Sequence, residues 1–139
     1  ESLDEGGCYR DFASASSIGP MGDPLKREGI ASWRIEFRRL GQPGVGWPGT
    51  YLDVGSAIDA LKTSASRHRL DLDRVVFVGH SAGGHLAHWA AGRHRASPRN
   101  VLHGEDPLVP RGVVNLAGRI DMADGIEGYE KNLRPPGGA

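Results

Sequence analysis

Residues 75–93, VVFVGHSAGGHLAHWAAGR, decide the fold of this chain. The continuous apolar run at the start predicts a strand over residues 74–79 that is buried on both faces. The alanine-rich half that follows predicts a helix over residues 82–93. Between them, GHSAG at residues 79–83 allows only a very tight turn. We therefore expect Ser81 where a buried strand ends and a helix begins.

The rest of the chain alternates helix and strand signals. Helices are predicted over residues 20–29, beginning near Asp23 and ending at Gly29, and over residues 50–68. Strands are predicted over residues 30–40, where apolar and charged side chains alternate, and over residues 111–118. Alternation at this spacing implies parallel strands joined by right-handed crossovers. The sequence thus predicts an α/β fold with a parallel three-stranded sheet and flanking helices.

The predicted helix over residues 50–68 has one apolar stripe. Its members recur at helical spacing, which predicts that one face of the helix is buried. They are Leu52, Val54, Ile58 and Leu61.

Length and composition limit the classes of function. With 139 residues, the chain forms at most one domain, residues 1–139. Basic and acidic residues number 17 each, so the balance of charge favours neither nucleic acid nor an anionic membrane as a partner. No apolar run approaches the roughly 20 residues that span a bilayer. The single cysteine, Cys8, excludes an internal disulfide and favours a cytoplasmic location. The basic stretch at residues 92–99 is interpreted as a solvated helix end, with a nucleic-acid patch as the alternative.

The GHSAG turn matches the pattern G-x-S-x-G of a nucleophile elbow. In such a turn, glycines two positions before and after the serine remove side chains that would clash. The serine hydroxyl is lifted above the C-terminal edge of the sheet, against the positive end of the next helix. The N–H of Ala82 can then help to bind an oxyanion. The alternative is an ordinary glycine-serine turn, and the phosphate-binding patterns G-x-G-x-x-G and G-x-x-x-x-G-K-[ST] are absent from the sequence.

GHSAGGHLAHWAA, residues 79–91, resembles the elbow of the α/β-hydrolase superfamily, especially its esterase and kynurenine-formamidase-like branch. Residues 33–61 are similar to the strand, glycine/proline loop and helix that precede the elbow in that branch. EGGCYRD, residues 5–11, resembles its H-G-G-x-W oxyanion segment, and residues 111–122 resemble the next core strand. The resemblance implies a serine hydrolase that needs no cofactor and acts on a small-molecule ester.

The resemblance also implies roles for individual residues. Ser81 matches the nucleophile and Ala82 the first oxyanion donor, while the backbone of Gly6, Gly7 and Cys8 matches the second donor segment. Glu5 stands where the branch has a histidine that braces this segment, and Tyr9 replaces its tryptophan. His85 matches a histidine that is common in the branch. Because His85 lies one turn into the helix, we interpret it as structural.

The catalytic base is not evident in the sequence. The superfamily places its residues in the order Ser, Asp or Glu, then His. No histidine follows Asp106, Asp121 or Asp124, so the chain cannot complete that order. Asp121 is a candidate acid just past the last predicted strand, with a structural role in a turn as the alternative. The sequence contains no Cys/His cluster, so it predicts no metal site.

The strands that begin and end the family's sheet are also not evident in the chain. We therefore expect a truncated α/β-hydrolase core whose open sheet edges are completed by a homo-oligomer or by segments of a longer protein. The predicted function is hydrolysis of short acyl esters through Ser81. The alternative is a catalytically silent hydrolase-like module with a role in binding or assembly. Trp47, in the GWPG sequence, either lines a pocket or packs against the core.

Overall fold

The computed structural model of the chain describes residues 19–120. Within them lie three α-helices and two strands, together with 3-10 turns at Leu72–Arg74 and Arg93–Arg95. The helices and strands are α1 (Gly19–Arg27), α2 (Gly49–His68), β1 (Val76–His80), α3 (Ala82–Gly92) and β2 (Gly112–Leu116).

Strands β1 and β2 form a parallel pair. Phe77 lies opposite Val113, and Gly79 lies opposite Asn115. Helix α3 lies on the connection between the two strands and packs against both of them. This is the βαβ unit expected of parallel strands, so the predicted α/β class is confirmed.

The structure corrects the prediction of a third strand at residues 30–40. In the part of the chain that the structure describes, the sheet contains β1 and β2 alone, and residues 30–40 do not join it. The predicted alternation is nevertheless present in the burial, because Ile35 and Phe37 are buried while Arg34 and Glu36 are exposed. Alternation determines which side chains face the core, but it does not supply the neighbouring strand that a ladder needs.

Residues 33–38 are fastened to α2 by polar contacts. The Arg38 guanidinium binds the Asp53 carboxylate through two hydrogen bonds of 2.7 Å, and the Arg38 backbone N–H donates to the same carboxylate at 2.9 Å. These hydrogen bonds from the Arg38 side chain are the main reason why the pKa of Asp53 lies below its ordinary value. The Trp33 indole N–H donates to the Ala57 carbonyl at 3.1 Å. The segment therefore has a fixed position on α2, which fixes the start of the loop that follows.

The core lies between the helices and one face of the sheet. Its buried members are Ile35, Phe37, Tyr51, Val54, Ile58, Val75, Phe77, Leu86, Ala87, Ala90 and Leu102. The expected stripe of α2 is confirmed at Val54, Ile58 and Leu61, but Leu52 is 39% exposed and Tyr51 is buried in its place. Strand β1 is fully buried on one face only, since Val76 and Val78 are half-buried. The prediction of burial on both faces is therefore corrected.

The opposite face of β2 is open to solvent. Val114 and Leu116 are 45% and 46% exposed. Parallel sheets normally have both faces covered, so this face departs from the usual arrangement.

Helix α1 begins earlier than predicted. It starts at Gly19 rather than near Asp23 and contains Pro24 within it. Its end agrees with the prediction: Gly29 has φ +73°, and the Ile30 N–H donates back to the Leu25 carbonyl at 2.9 Å. This is the glycine-terminated ending that many helices share.

Candidate active site

Ser81 is the single residue between β1 and α3. Its backbone has φ +53° and ψ −115°, outside the regions that residues with a side chain ordinarily adopt. Such a conformation costs on the order of 1–3 kcal/mol and persists only where the surroundings enforce it. The turn is thus as tight and strained as the sequence predicts.

Hydrogen bonds on both sides hold this turn. The Ser81 N–H donates to the Leu116 carbonyl at 2.7 Å, which ties the end of β1 to the end of β2. The Ser81 carbonyl accepts from the His85 N–H at 3.1 Å and so closes the first turn of α3. The Ser81 side chain makes no capping hydrogen bond to the helix. Its hydroxyl is therefore not committed to stabilising α3.

Two glycines make room for the turn. A Cβ atom at Gly79 would overlap the Gly83 carbonyl group and would lie 2.6 Å from the Gly84 nitrogen. A Cβ atom at Gly84 would overlap the Asn115 side-chain oxygen and would lie 3.0 Å from the Gly79 carbonyl oxygen. Strand, turn and helix therefore approach so closely that these positions admit only glycine.

Asn115 holds the loop that follows β2. Its side-chain oxygen accepts from the Gly118 N–H at 2.7 Å, and its amide donates to the Gly118 carbonyl at 3.1 Å. A Cβ atom at Gly118 would lie 2.5 Å from the backbone nitrogen of His85, so the loop packs closely against the first turn of α3. Sequence reasoning missed Asn115. The available signal was an asparagine three residues before a glycine at the end of a strand.

His85 joins three parts of the fold. Its Nδ1 lies 3.0 Å from the Arg119 carbonyl oxygen and its Nε2 lies 2.8 Å from the Tyr51 hydroxyl. Because a carbonyl only accepts, Nδ1 carries the proton and Nε2 accepts from Tyr51. Burial is the main cause that lowers the pKa of His85, so the neutral ring is favoured. These contacts agree with the structural role expected of this histidine.

The neutral state of His85 predicts a loss of stability in mild acid. An unfolded histidine has a pKa of about 6.5, so the unfolded chain binds a proton that the folded chain resists. The contribution of His85 to the free energy of unfolding should be constant above about pH 6.5 and should fall as the pH drops toward the lower pKa of the folded state. Urea unfolding of the wild type at pH 7.5 and pH 5 measures this fall.

The variant His85→Gln should lose most of this pH dependence, whereas His68→Gln, at the exposed end of α2, should retain it. An equal pH dependence in wild type and His85→Gln would contradict the role of His85.

The other histidines do not hydrogen-bond the Ser81 hydroxyl in the described part of the chain. His68 ends α2, His94 follows α3 and His103 precedes β2, so all three lie toward the opposite edge of the sheet. His80 and His88 are exposed. All six histidines of the sequence lie within residues 19–120, and none of them hydrogen-bonds the Ser81 hydroxyl there. A base for Ser81 is therefore not assembled by the described residues.

Several predicted site residues lie outside the described part of the chain. These are Gly6, Gly7 and Cys8, the neighbouring Glu5 and Tyr9, and Asp121. Their roles remain predictions. Among residues 19–120, no group of three or more His, Cys, Asp or Glu side chains is placed to hold a metal ion.

A cavity of about 280 Å³ lies at the other end of β1. It is lined by the segment that enters the strand, including Leu72, Arg74 and Val75, and by Ile30 and Leu61. Ser81 follows the far end of the same strand. This cavity is therefore separate from the elbow.

The model of the BD-FAE family matches residues 6–131 of the sequence. The chain belongs to the BD-FAE family. The matched range includes the Ser81 turn, both strands and the segment of Gly6, Gly7 and Cys8. No curated protein compared with this BD-FAE chain matches it.

Solved structures similar to the BD-FAE chain include a lipase/esterase, a carboxylesterase and a bifunctional hydrolase. A lipase/esterase from Lactobacillus plantarum has a TM-score of 0.75 at 20% identity, covering 95% of this chain and 54% of its own. A bifunctional GH43-CE protein from Bacteroides eggerthii has a TM-score of 0.70 at 25% identity. The match covers 99% of this chain and 20% of that protein. An acetyl ester-xyloside bifunctional hydrolase from Caldicellulosiruptor lactoaceticus has a TM-score of 0.68 at 23% identity. The match covers 97% of this chain and 50% of that hydrolase.

The BD-FAE chain thus has the α/β-hydrolase fold in the form of a core. It spans about half the length of the lipase/esterase and 51% of a second Lactobacillus plantarum carboxylesterase. The resemblance to the α/β hydrolases and the truncated core expected from the sequence are both confirmed. Among residues 19–120, no helix combines the length and the apolar character that crossing a bilayer requires.

Proposed function

We propose that this BD-FAE chain is a serine carboxylesterase core that cleaves short acyl esters, with Ser81 as the nucleophile. The observation that supports the proposal is the backbone of Ser81, which has φ +53° as the single residue between β1 and α3. A strained serine at this position has its hydroxyl at the sheet edge and at a helix N-terminus, as nucleophilic acyl transfer requires.

The proposed reaction has two steps. The Ser81 Oγ attacks the carbonyl carbon of the ester and loses its proton to a base, and the alcohol leaves with a proton. Water then hydrolyses the acyl-serine to release the acid. Ala82 is the first residue of α3, so its N–H has no acceptor within the helix and is proposed to stabilise the oxyanion. The backbone N–H groups of Gly7 and Cys8 are proposed as the second donors.

The base for Ser81 is proposed to come from outside the described fold. His85 cannot serve while Nδ1 is bonded to the Arg119 carbonyl and Nε2 to the Tyr51 hydroxyl. We propose that a second copy in a homo-oligomer, or another segment of a longer protein, supplies the base, and that Asp121 is the acid. Without a base, an oxyanion hole and substrate binding alone leave an acceleration of roughly 10³ to 10⁴ over water.

The proposed partner is a small-molecule ester, with neither nucleic acid nor membrane involved. The zero net charge of the sequence supports the exclusion of nucleic acid. The exclusion of a membrane is supported by the helices of residues 19–120, none of which is long and apolar enough to cross a bilayer. The single Cys8 supports a cytoplasmic location.

The second candidate function is a catalytically silent module that binds or assembles. It is favoured by the absence of a histidine bonded to the Ser81 hydroxyl among residues 19–120 and by Glu5 in place of the histidine of the resembling esterases. The two candidates differ in whether Ser81 reacts as a nucleophile.

Covalent labelling with a fluorophosphonate tests the proposal. The wild-type chain should become labelled, peptide mapping should place the adduct on Ser81, and Ser81→Ala should abolish it. Ser56→Ala removes an exposed serine of α2 and should be labelled like the wild type. A folded wild-type chain that forms an oligomer and still takes no label at Ser81 would favour the silent module over a homo-oligomeric esterase.

A further inference from the structure

The indole of Trp47 is exposed to solvent. Its side chain belongs to the loop that enters α2, and the residue is 62% exposed, more than any other large apolar residue recorded as exposed between residues 19 and 120. Single exposed apolar residues are common on protein surfaces and need no function. The case for Trp47 therefore depends on how it is held and on what it lies beside.

The loop that carries Trp47 is firmly held. The fully buried Thr50 accepts from the Gly46 N–H at 3.0 Å and donates to the Arg38 carbonyl at 3.0 Å. Its own N–H donates to the Gly46 carbonyl at 2.9 Å. Trp47 lies between these anchor points and its ring meets Tyr51, so both its backbone and one edge of its indole are restrained before any ligand arrives. A pre-positioned ring loses little conformational entropy on binding.

A chain of direct contacts links Trp47 to Ser81. The ring of Trp47 meets the ring of Tyr51 edge-on, with centroids 5.4 Å apart. The Tyr51 hydroxyl bonds His85 at 2.8 Å, and the His85 N–H bonds the Ser81 carbonyl at 3.1 Å. The first turns of α2 and α3 therefore meet, and the exposed indole lies at the same edge of the fold as the candidate nucleophile.

We propose that Trp47 is a specificity-determining residue that stacks against a sugar or aryl ring of the ester bound at Ser81. This inference rests on the proposed esterase function. The face of an indole is electron-rich, so it attracts the C–H bonds of a pyranose ring and also stacks with an aryl ring. Both kinds of ring share the chemistry that Trp47 recognises. An ester with only short alkyl groups offers no such surface.

Relative hydrolysis rates test this role. Three ring-bearing esters are used: methyl xylopyranoside monoacetate, phenyl acetate and ethyl benzoate. For each of them, kcat/KM is divided by kcat/KM for ethyl acetate. Trp47→Ala should lower this ratio by about 5- to 10-fold for at least one ring-bearing ester, whereas Trp47→Phe should retain most of it. The ester that shows the loss identifies the kind of ring. Val101→Ala, at another exposed apolar position, should leave every ratio unchanged.

A binding measurement separates this proposal from the esterase proposal. In Ser81→Ala, methyl xylopyranoside or phenol should shift the NMR signal of the Trp47 indole N–H, which Trp47→Phe identifies by its absence. A shift without hydrolysis by the wild type would support ring binding and count against the esterase. Unchanged ratios together with no shift would overturn the role of Trp47, as would an equal loss of kcat/KM for all four esters in Trp47→Ala.

Discussion

Replacing Gly79 with alanine should destabilise the chain by about 3 kcal/mol or more, at the upper end of the range for overpacking. The added Cβ atom would overlap the Gly83 carbonyl group and lie 2.6 Å from the Gly84 nitrogen. These are backbone atoms of α3, so they cannot rotate away as a flexible side chain could. Relief requires α3 to move away from β1. Urea unfolding of the variant measures the loss.

Gly92→Ala is the matched control for Gly79→Ala. Gly92 ends α3 with φ −86°, and a Cβ atom there would meet nothing within 4 Å. The same substitution should be neutral, or stabilising by about 0.4–1 kcal/mol through the unfolded state. If Gly79→Ala unfolded within 0.5 kcal/mol of the wild type and was still labelled at Ser81, the close approach of β1 and α3 would be wrong.

Arg93→Ala is expected to cost about 3 kcal/mol. The Arg93 guanidinium is buried and binds both carboxylate oxygens of Asp59, at 3.1 and 2.6 Å. It also donates to the carbonyls of Gly55 at 3.2 Å and Leu102 at 3.3 Å. Removing one partner of a buried ion pair costs roughly 3–5 kcal/mol. The lower end applies because the Asp59 side chain is 43% exposed and can be rehydrated.

Arg95→Ala is the matched control for Arg93→Ala. Arg95 is exposed two residues further along, and its recorded hydrogen bond is a long one of 3.4 Å to His94. Its removal should change the free energy of unfolding by less than about 0.5 kcal/mol. A double-mutant cycle of Arg93→Ala with Asp59→Ala should give a coupling energy of about 1 kcal/mol or more. Similar losses in Arg93→Ala and Arg95→Ala would show that the pair contributes little.

Arg93 also shows what sequence reasoning could not reach. Residues 92–99 were expected to be a solvated helix end, and the exposure of His94 and Arg95 agrees with that. Arg93 is instead 8% exposed, because Gly55 and Gly104 lack side chains where its guanidinium lies. Its partner Asp59 is 34 residues away. A run of basic residues indicates that a segment is polar. Whether one of them, such as Arg93, is buried depends on residues far away in the sequence.

The strand, turn and helix around Ser81 were predictable because their determinants are local. An apolar run, a glycine-flanked serine and an alanine-rich segment lie within 19 consecutive residues, and the structure gives β1, Ser81 and α3 in that order. The prediction for residues 30–40 was wrong as a strand of this sheet, although Ile35 and Phe37 are buried as expected. Alternation specifies a buried face, whereas a strand also needs a neighbour that the local pattern does not name.

The hydrogen bond from the Ser81 N–H to the Leu116 carbonyl has a consequence for moving the Ser81 turn between proteins. The six residues GHSAGG do not contain what holds Ser81 at φ +53°, because part of that restraint comes from a strand more than 30 positions later. Grafted without β2, the same six residues would be free to relax. The portable unit is therefore the whole βαβ element, and the serine motif is only its visible part.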